Sequence, residues 1–335
     1  MQPSPLRLAM IAFALALTLL PAPARAACAG RDLIAAMDPA ARAAFDARLA
    51  AVPHAEGLTW RATRGEAEIR LVGTYHFDDP RHAAILARVL PLMDGAARVL
   101  VEATGAEEAA LMRALAERPE FLFITNGPTL PEMLPEADWT ALRAAMRARD
   151  VPVFLAAKLR PWFVAAQLAL PPCMARAAAK GRAGLDARII AAAEAQGLPV
   201  APLEPYDTLF RIFEDLPEGG EAAMIRTALV MEAAAEDMSE TLAAAYFAER
   251  PWAIWQFTRE AAAAMPDVDP ADVEVQVRLA EGAMMARRNR AWIPVLTAAA
   301  ADGPVLAAFG ALHLPGPEGV LALLEAEGFS VERLR

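Results

Sequence analysis

Cysteine is nearly absent. Cys28 and Cys173 are the two in 335 residues, so neither a dense disulfide scaffold nor a cysteine-built metal cluster is open to this chain. Histidine is almost as scarce, with four copies, and no His-Glu-x-x-His stretch sets two of them on one helix face. Positive charge is in deficit too. The formal net charge is −10, with the acids spread along the chain, which speaks against nucleic acid as a partner. A long apolar run occurs once, at residues 8–20, and nothing after it reads as a membrane span.

That run sets the compartment. Arg7 precedes it and Pro21-Ala22-Pro23-Ala24-Arg25-Ala26 follows it, the order of a secretory signal peptide cleaved after a small-residue site, here residues 1–26. Its removal takes Arg7 and Arg25 and no acid, moving the charge from −10 to −12. A periplasmic or secreted protein is expected. Cys28 lies near the junction, but Arg25 stands where a lipobox carries an aliphatic residue, which argues against a lipoprotein. In an oxidising compartment the two cysteines are expected to pair, Cys28 with Cys173. Closing that loop is worth about 4–5 kcal/mol in the chain-entropy picture, before strain.

The remaining residues, 27–335, suffice for one large domain. Helical spacing covers 32–51, 81–93, 104–117, 137–149 and 186–196, the last ending at Gly197. Strand-like runs cover 58–72, 97–101, 151–155 and 198–203, and two of them lead into a glutamate, Glu102 and Glu204. From about 206 to 300 the pattern is almost wholly helical, with an aromatic patch at Trp252, Trp255 and Phe257. It reads as an inserted helical subdomain. This alternation predicts an α/β fold, a mixed sheet flanked by helices. Trp252, Trp255 and Met284-Met285 read as core, Arg160-Pro161-Trp162 as a strand-to-helix junction, and His54 and His82 as exposed.

Two short signatures stand out. Gly73-Thr74-Tyr75-His76 and Gly310-Ala311-Leu312-His313 each close an apolar strand-like run, and Pro80 and Pro317 follow the histidines at the same offset. Each begins a half-unit of strand, Gly-x-x-His, helix and strand. Glycine at a strand end permits close approach of other groups, and the histidine three residues on is placed at the mouth of the sheet, where open α/β proteins build sites.

The segments Gly73-Thr74-Tyr75-His76, Val101-Glu102, Arg160-Pro161-Trp162, Gly184-Leu185-Asp186, Pro202-Leu203-Glu204, Arg288-Asn289 and Phe309-Gly310-Ala311-Leu312-His313-Leu314-Pro315-Gly316 occur in the order of the TraB/GumN family, which the chain resembles over nearly its whole mature length. The resemblance implies kinship with the animal Tiki proteins, metal-dependent proteases that clip an amino-terminal segment from a secreted signalling protein. More distantly it implies erythromycin-esterase-like and ChaN-like haem-binding folds. The family's two Gly-x-x-His motifs and strand-end glutamate map onto His76, His313 and Glu102. The membrane-bound signalling role of anchored relatives does not carry over, since no mature anchor is expected here.

The chemistry follows from the residue types. Two neutral imidazoles with one or two carboxylates suit a divalent ion with an open position, at which water becomes a nucleophile near neutral pH; Mn²⁺, Co²⁺ and Zn²⁺ fit equally. His76 and His313 are expected as ligands, with Glu102 as ligand or general base. Glu204 is the second carboxylate or a helix cap near Asp207. Arg288 is an oxyanion or substrate-carboxylate partner, or a structural ion pair, and Tyr75 and Asn289 are substrate contacts. A metal-dependent hydrolase of the peptidase type is therefore expected, acting on a peptide or small molecule. A non-catalytic metal or haem binder, and a metal-independent esterase with a histidine base, stay open.

Overall fold

The computed structural model describes residues 28–179, 181, 183–214, 221–264, 278 and 281–335; the expected leader lies outside them. Its strands are β1 (Thr59–Arg64), β2 (Ala67–Thr74), β3 (Arg98–Val101), β4 (Val200–Pro202), β5 (Val305–Gly310) and β6 (Ser330–Arg333). They make one mixed sheet in the order β4-β3-β5-β2-β1-β6. The first four in that order run parallel to one another, and β1 is antiparallel to both β2 and β6.

The longer helices are α1 (Pro39–Ala50), α2 (His82–Val89), α3 (Gly105–Glu117), α4 (Glu136–Arg147), α5 (Pro161–Leu168), α6 (Pro172–Ala179), α7 (Leu185–Ala195), α8 (Thr208–Glu214), α9 (Glu221–Glu232), α10 (Ala235–Phe247), α11 (Pro251–Ala263), α12 (Arg287–Ala301) and α13 (Val320–Ala326). The sheet is buried on both sides. Along β5, Leu306 and Ala308 join a cluster with α1, α2, α7, α10 and α11, while Val305, Ala307 and Phe309 join another with α12 and α13. Alternation along a strand puts successive side chains on opposite faces, and at about 1.5–3 kcal/mol per large apolar side chain buried this double layer holds the sheet.

Connections explain where a site can form. From β2 the chain crosses by α2 to β3, and from β5 by α13 to β6, so both half-units have the expected order of strand, Gly-x-x-His, helix and strand. Their helices lie on opposite faces and their crossovers run in opposite directions. The loops after β3 and β5 therefore diverge. Such a switch point opens a crevice at the carboxyl ends of the strands.

Outside the two sheet clusters, α4, α5 and α9 share a third around Trp139, Leu142, Met146, Val164, Leu168 and Ile225. The buried Arg149 closes it, its guanidinium donating to the Leu168 and Leu170 carbonyls and to Glu232. The described part of segment 206–300 consists of helices joined by short turns, and its helices contribute to all three clusters. Cys28 and Cys173 are joined as expected, S–S 2.01 Å, fixing the start of the described chain to α6. Among the described residues no helix is long and apolar enough to cross a membrane.

Three expectations need correction. Val153–Ala156 is a turn of helix, not a strand: Pro152 starts it, Val153 and Ala156 pack within a helical cluster, and Phe154 and Leu155 face outward. His82 is fully buried, with Nε2 on the Phe77 carbonyl at 2.8 Å and its ring against Phe247 and Tyr246. His54 is half-buried, paired with Glu325 at 3.1 Å and edge-on to Trp60.

Candidate functional site

Each parallel strand ends at the same edge of the sheet, and each delivers a part of one centre. β2 and β5 pair Thr74 with Gly310, and β3 pairs Val101 with Ala308 and Pro202. The next residues are thereby set side by side: His76 after β2, Glu102 after β3, Glu204 after β4, and His313 in a 3-10 turn, Ala311–His313, after β5. Arg288, in the first turn of α12, reaches in from the side of the second cluster.

Arg288 is the hub. Its Nη2 donates to Glu102 Oε2 and Glu204 Oε1, both at 2.6 Å, and its Nε donates to Glu204 Oε2 at 2.9 Å. Nη1 donates to the Met284 carbonyl at 3.3 Å and meets His313 Nε2 at 3.2 Å. A guanidinium has five N–H donors, and all five are engaged. Arg288 thus supplies a fixed charge rather than a free fork for a substrate carboxylate. Trp292 Nε1 completes the hold on Glu204, donating to Oε2 at 3.0 Å, so Glu204 is a clamp on Arg288 and not a helix cap.

Glu102 accepts from the Gly310 amide through Oε1 at 2.6 Å. Burial works against its charge, but the facing imidazoles of His313 and His76, the Arg288 guanidinium and the Gly310 amide outweigh it and hold the carboxyl at about 2. A group so acidic is a poor proton acceptor near neutral pH.

The two histidines are held by different partners. His313 is 3% exposed, its ring 4.4 Å from that of Trp292. Its Nδ1 meets Asn289 Oδ1 at 2.5 Å. The Asn289 amide is oriented by its other end, Nδ2 donating to the Glu318 carbonyl at 2.7 Å, so His313 carries its proton on Nδ1 and a lone pair on Nε2. Burial, helped by the Arg288 charge and opposed by Glu102, pushes this imidazole down to about 3. His76 keeps 54% of its side chain exposed at the mouth of a cavity, with Nδ1 3.3 Å from Asp186 Oδ1 and Nε2 3.9 Å from Glu102 Oε1. Burial by the surrounding walls disfavours its charged form, yet Asp186 and Glu102 win, and His76 lies above the ordinary histidine value.

The glycines of the two motifs do different work. A Cβ on Gly73 would stand 2.9 Å from the Ala311 backbone and 2.7 Å from Leu314, so its absence lets the two motifs meet. A Cβ on Gly310 would stand 3.2 Å from both Glu102 Oε1 and His76 Nε2 and 3.6 Å from His313. Bare backbone there leaves a cradle between the three.

The cradle opens into a cavity of about 470 Å³ walled by Tyr75, Tyr246, Leu242, Ile254, Met284 and Met285 among others. Tyr75 stacks on Tyr246 with ring centroids 5.3 Å apart, and burial, with the nearby Asp79, pushes its phenol up to about 12. Trp252, Trp255 and the methionines, expected as core, line cavities instead. Asn289 does not line this cavity; it lies behind His313, 1% exposed. Among the described residues no three His, Cys, Asp or Glu side chains are grouped as a metal-binding set. Asp186 was not among the expected site residues. An acid in the first turn of α7 reads as an ordinary partner of the helix dipole, and only the fold brings it to His76.

A mixed α/β sheet with two histidines, two glutamates and an arginine gathered at the carboxyl ends of its parallel strands defines the class of protein. The chain belongs to the TraB/PrgY/gumN family, whose profile matches residues 58–333 and so takes in every strand and the whole centre. No curated protein and no solved structure matches it.

Proposed function

We propose that this is an exported hydrolase of carbonyl substrates, peptides foremost, with His76 at the reacting water. The observation that carries the reading is the pair of contacts made by His76. Asp186 backs Nδ1 at 3.3 Å, while Nε2 faces the cradle over Gly310 beside Glu102. A carboxylate near one ring nitrogen steadies the imidazolium, which leaves the other nitrogen to take a proton from water. The same nitrogen then returns the proton to the leaving group. Glu102 and Glu204 hold Arg288, whose charge offsets the negative oxygen that forms on an attacked carbonyl. The mostly apolar cavity limits water and strengthens these interactions.

A divalent ion, Mn²⁺, Co²⁺ or Zn²⁺, at the same centre is the second form of this proposal. His76 Nε2 and Glu102 Oε1, 3.9 Å apart, would hold it at about 2 Å each, and His313 presents a third lone pair through Nε2, which Arg288 engages in this structure. With both imidazoles neutral, Glu102, Glu204 and Asp186 outnumber Arg288, so a dication would be electrostatically welcome. When bound, such an ion would supply Lewis acidity and make water more acidic.

One experiment tests the proposal and separates its two forms. The mature protein is assayed on a peptide library as purified, after chelation, and after return of each metal, with metal content measured in parallel. Cleavage that His76→Gln abolishes is the expected result. Loss on chelation with recovery on one metal selects the ion-assisted form, and chelator-resistant cleavage selects the histidine base alone. Cleavage that survives His76→Gln would overturn both.

A further inference from the structure

The residues after His313 build a second cavity, of about 320 Å³. Leu312 and Met285 line both cavities, so one layer of side chains divides them. Trp252 and Trp255, one helical turn apart on α11, and Pro315 and Pro317 form much of the rest. The helix that carries Arg288 is preceded by a π-helical turn, Gly282–Ala286, and such turns collect at functional sites. Here the turn gives Met284 to the first cavity, Met285 to both, and Gly282 and Ala286 to the second. Asn289 also joins them: it lines the second cavity and holds His313 through Oδ1.

At the edge of this cavity Arg290 pairs with Glu318 and Glu281 with Arg259, and Arg278 adds a further cation. What it offers a ligand is two indoles, two prolines and a methionine. That surface holds a flat aromatic ring through stacking and sulfur contact, and the volume lies at the small end of the range for ligand sites. We infer that the second cavity is a subsite for an aromatic side chain of the substrate whose reacting carbonyl lies in the first. The word substrate rests on the hydrolase reading; occupancy by an aromatic group does not.

The test is built to separate the two. N-acetyl-phenylalaninamide is titrated into the full chain by calorimetry, with N-acetyl-alaninamide as the control probe. Saturable binding at least tenfold tighter for the aromatic amide is expected. Two variants locate it. Trp255→Ala removes one indole. Gly282→Leu fills the cavity from a position where a Cβ meets nothing within 4 Å and the backbone is not left-handed, so the fold tolerates it. Each is expected to weaken the aromatic amide at least tenfold with an unchanged melting temperature, and Gly282→Leu should erase any aromatic preference in the cleaved peptides. Absence of saturable binding, or binding that persists in both variants, would overturn the subsite. Aromatic binding by the unsubstituted chain, with no peptide cleaved before or after return of any metal, would keep the subsite and sink the hydrolase reading alone.

Discussion

The two Gly-x-x-His segments share a sequence pattern and a place at the sheet edge, yet the structure treats them as opposites. His76 is half-exposed, backed by a carboxylate, and raised above the ordinary histidine value. His313 is buried, backed by an amide, and pressed down to about 3. One imidazole is placed to exchange protons with whatever enters the cavity, and the other to remain neutral as a fixed lone pair. The glycines divide in the same way, Gly73 serving the contact between motifs and Gly310 the open space at the centre. A repeated motif has therefore been put to two uses, and the neighbours rather than the motif decide which.

The sharpest way to break this contrast is to remove each ring. His76→Ala should lower hydrolysis at least about 10³-fold, roughly 4 kcal/mol of barrier, while its unfolding free energy in urea changes by less than about 1 kcal/mol. His313→Ala should lose activity and also about 2–4 kcal/mol of stability, because it opens a void beside Trp292 and strands the Asn289 amide. Equal stability losses in the two variants would contradict the division of roles. The glycines come next. Gly310→Ala intrudes on the cradle and should cost activity on the order of 10²-fold with little change in melting, whereas Gly73→Ala presses on the Ala311 backbone and should cost about 1–3 kcal/mol of stability.

Exchanging the backing groups should have a smaller effect. Asp186→Asn and Asn289→Asp each alter an outer partner of a histidine, and changes of this type cost about 10–100-fold. Asp186→Asn should also shift the pH profile of kcat/KM to lower pH, a movement that a purely structural role would not produce. The mildest test is titration of stability in the presence of chelator. The folded value of His313 lies below the ordinary one near 6.5, so its contribution is fully present above about pH 6.5 and is lost as pH falls toward 3. The folded value of His76 is raised, so its contribution is present below about pH 6.5 and fades as pH rises through the raised value. Urea midpoints of His313→Gln and His76→Gln against pH should lose opposite slopes.

Much of this arrangement was legible in the chain because it is local. Apolar runs that end in Gly-x-x-His or lead into glutamate mark strand ends, and strand ends mark the edge where His76, Glu102, Glu204 and His313 gather. What escaped is what depends on distant packing. His82 opens a helix, a place that is usually wet, but the Tyr246 and Phe247 rings cover it. The run 151–155 has strand composition, and its neighbours in the third cluster make it helical. Asn289 was expected to touch substrate; it lines the second cavity, and its hold on His313, set by the Glu318 carbonyl that orients it, is what no local pattern shows. The clamp of two glutamates on Arg288 joins residues 84 and 186 positions apart, a relation no local pattern encodes.

The parallel pairing of β2 with β5 joins Ile69–Thr74 to Val305–Gly310, and this has a kinetic meaning. Neither Gly-x-x-His can find its counterpart until Val305–Gly310 has left the ribosome, and closure of so long a loop is slow. Until then Glu102 lacks the Gly310 amide and His76 faces no partner across the crevice. The centre is thus incomplete until β5 has been made and paired, and its assembly is a late event of folding.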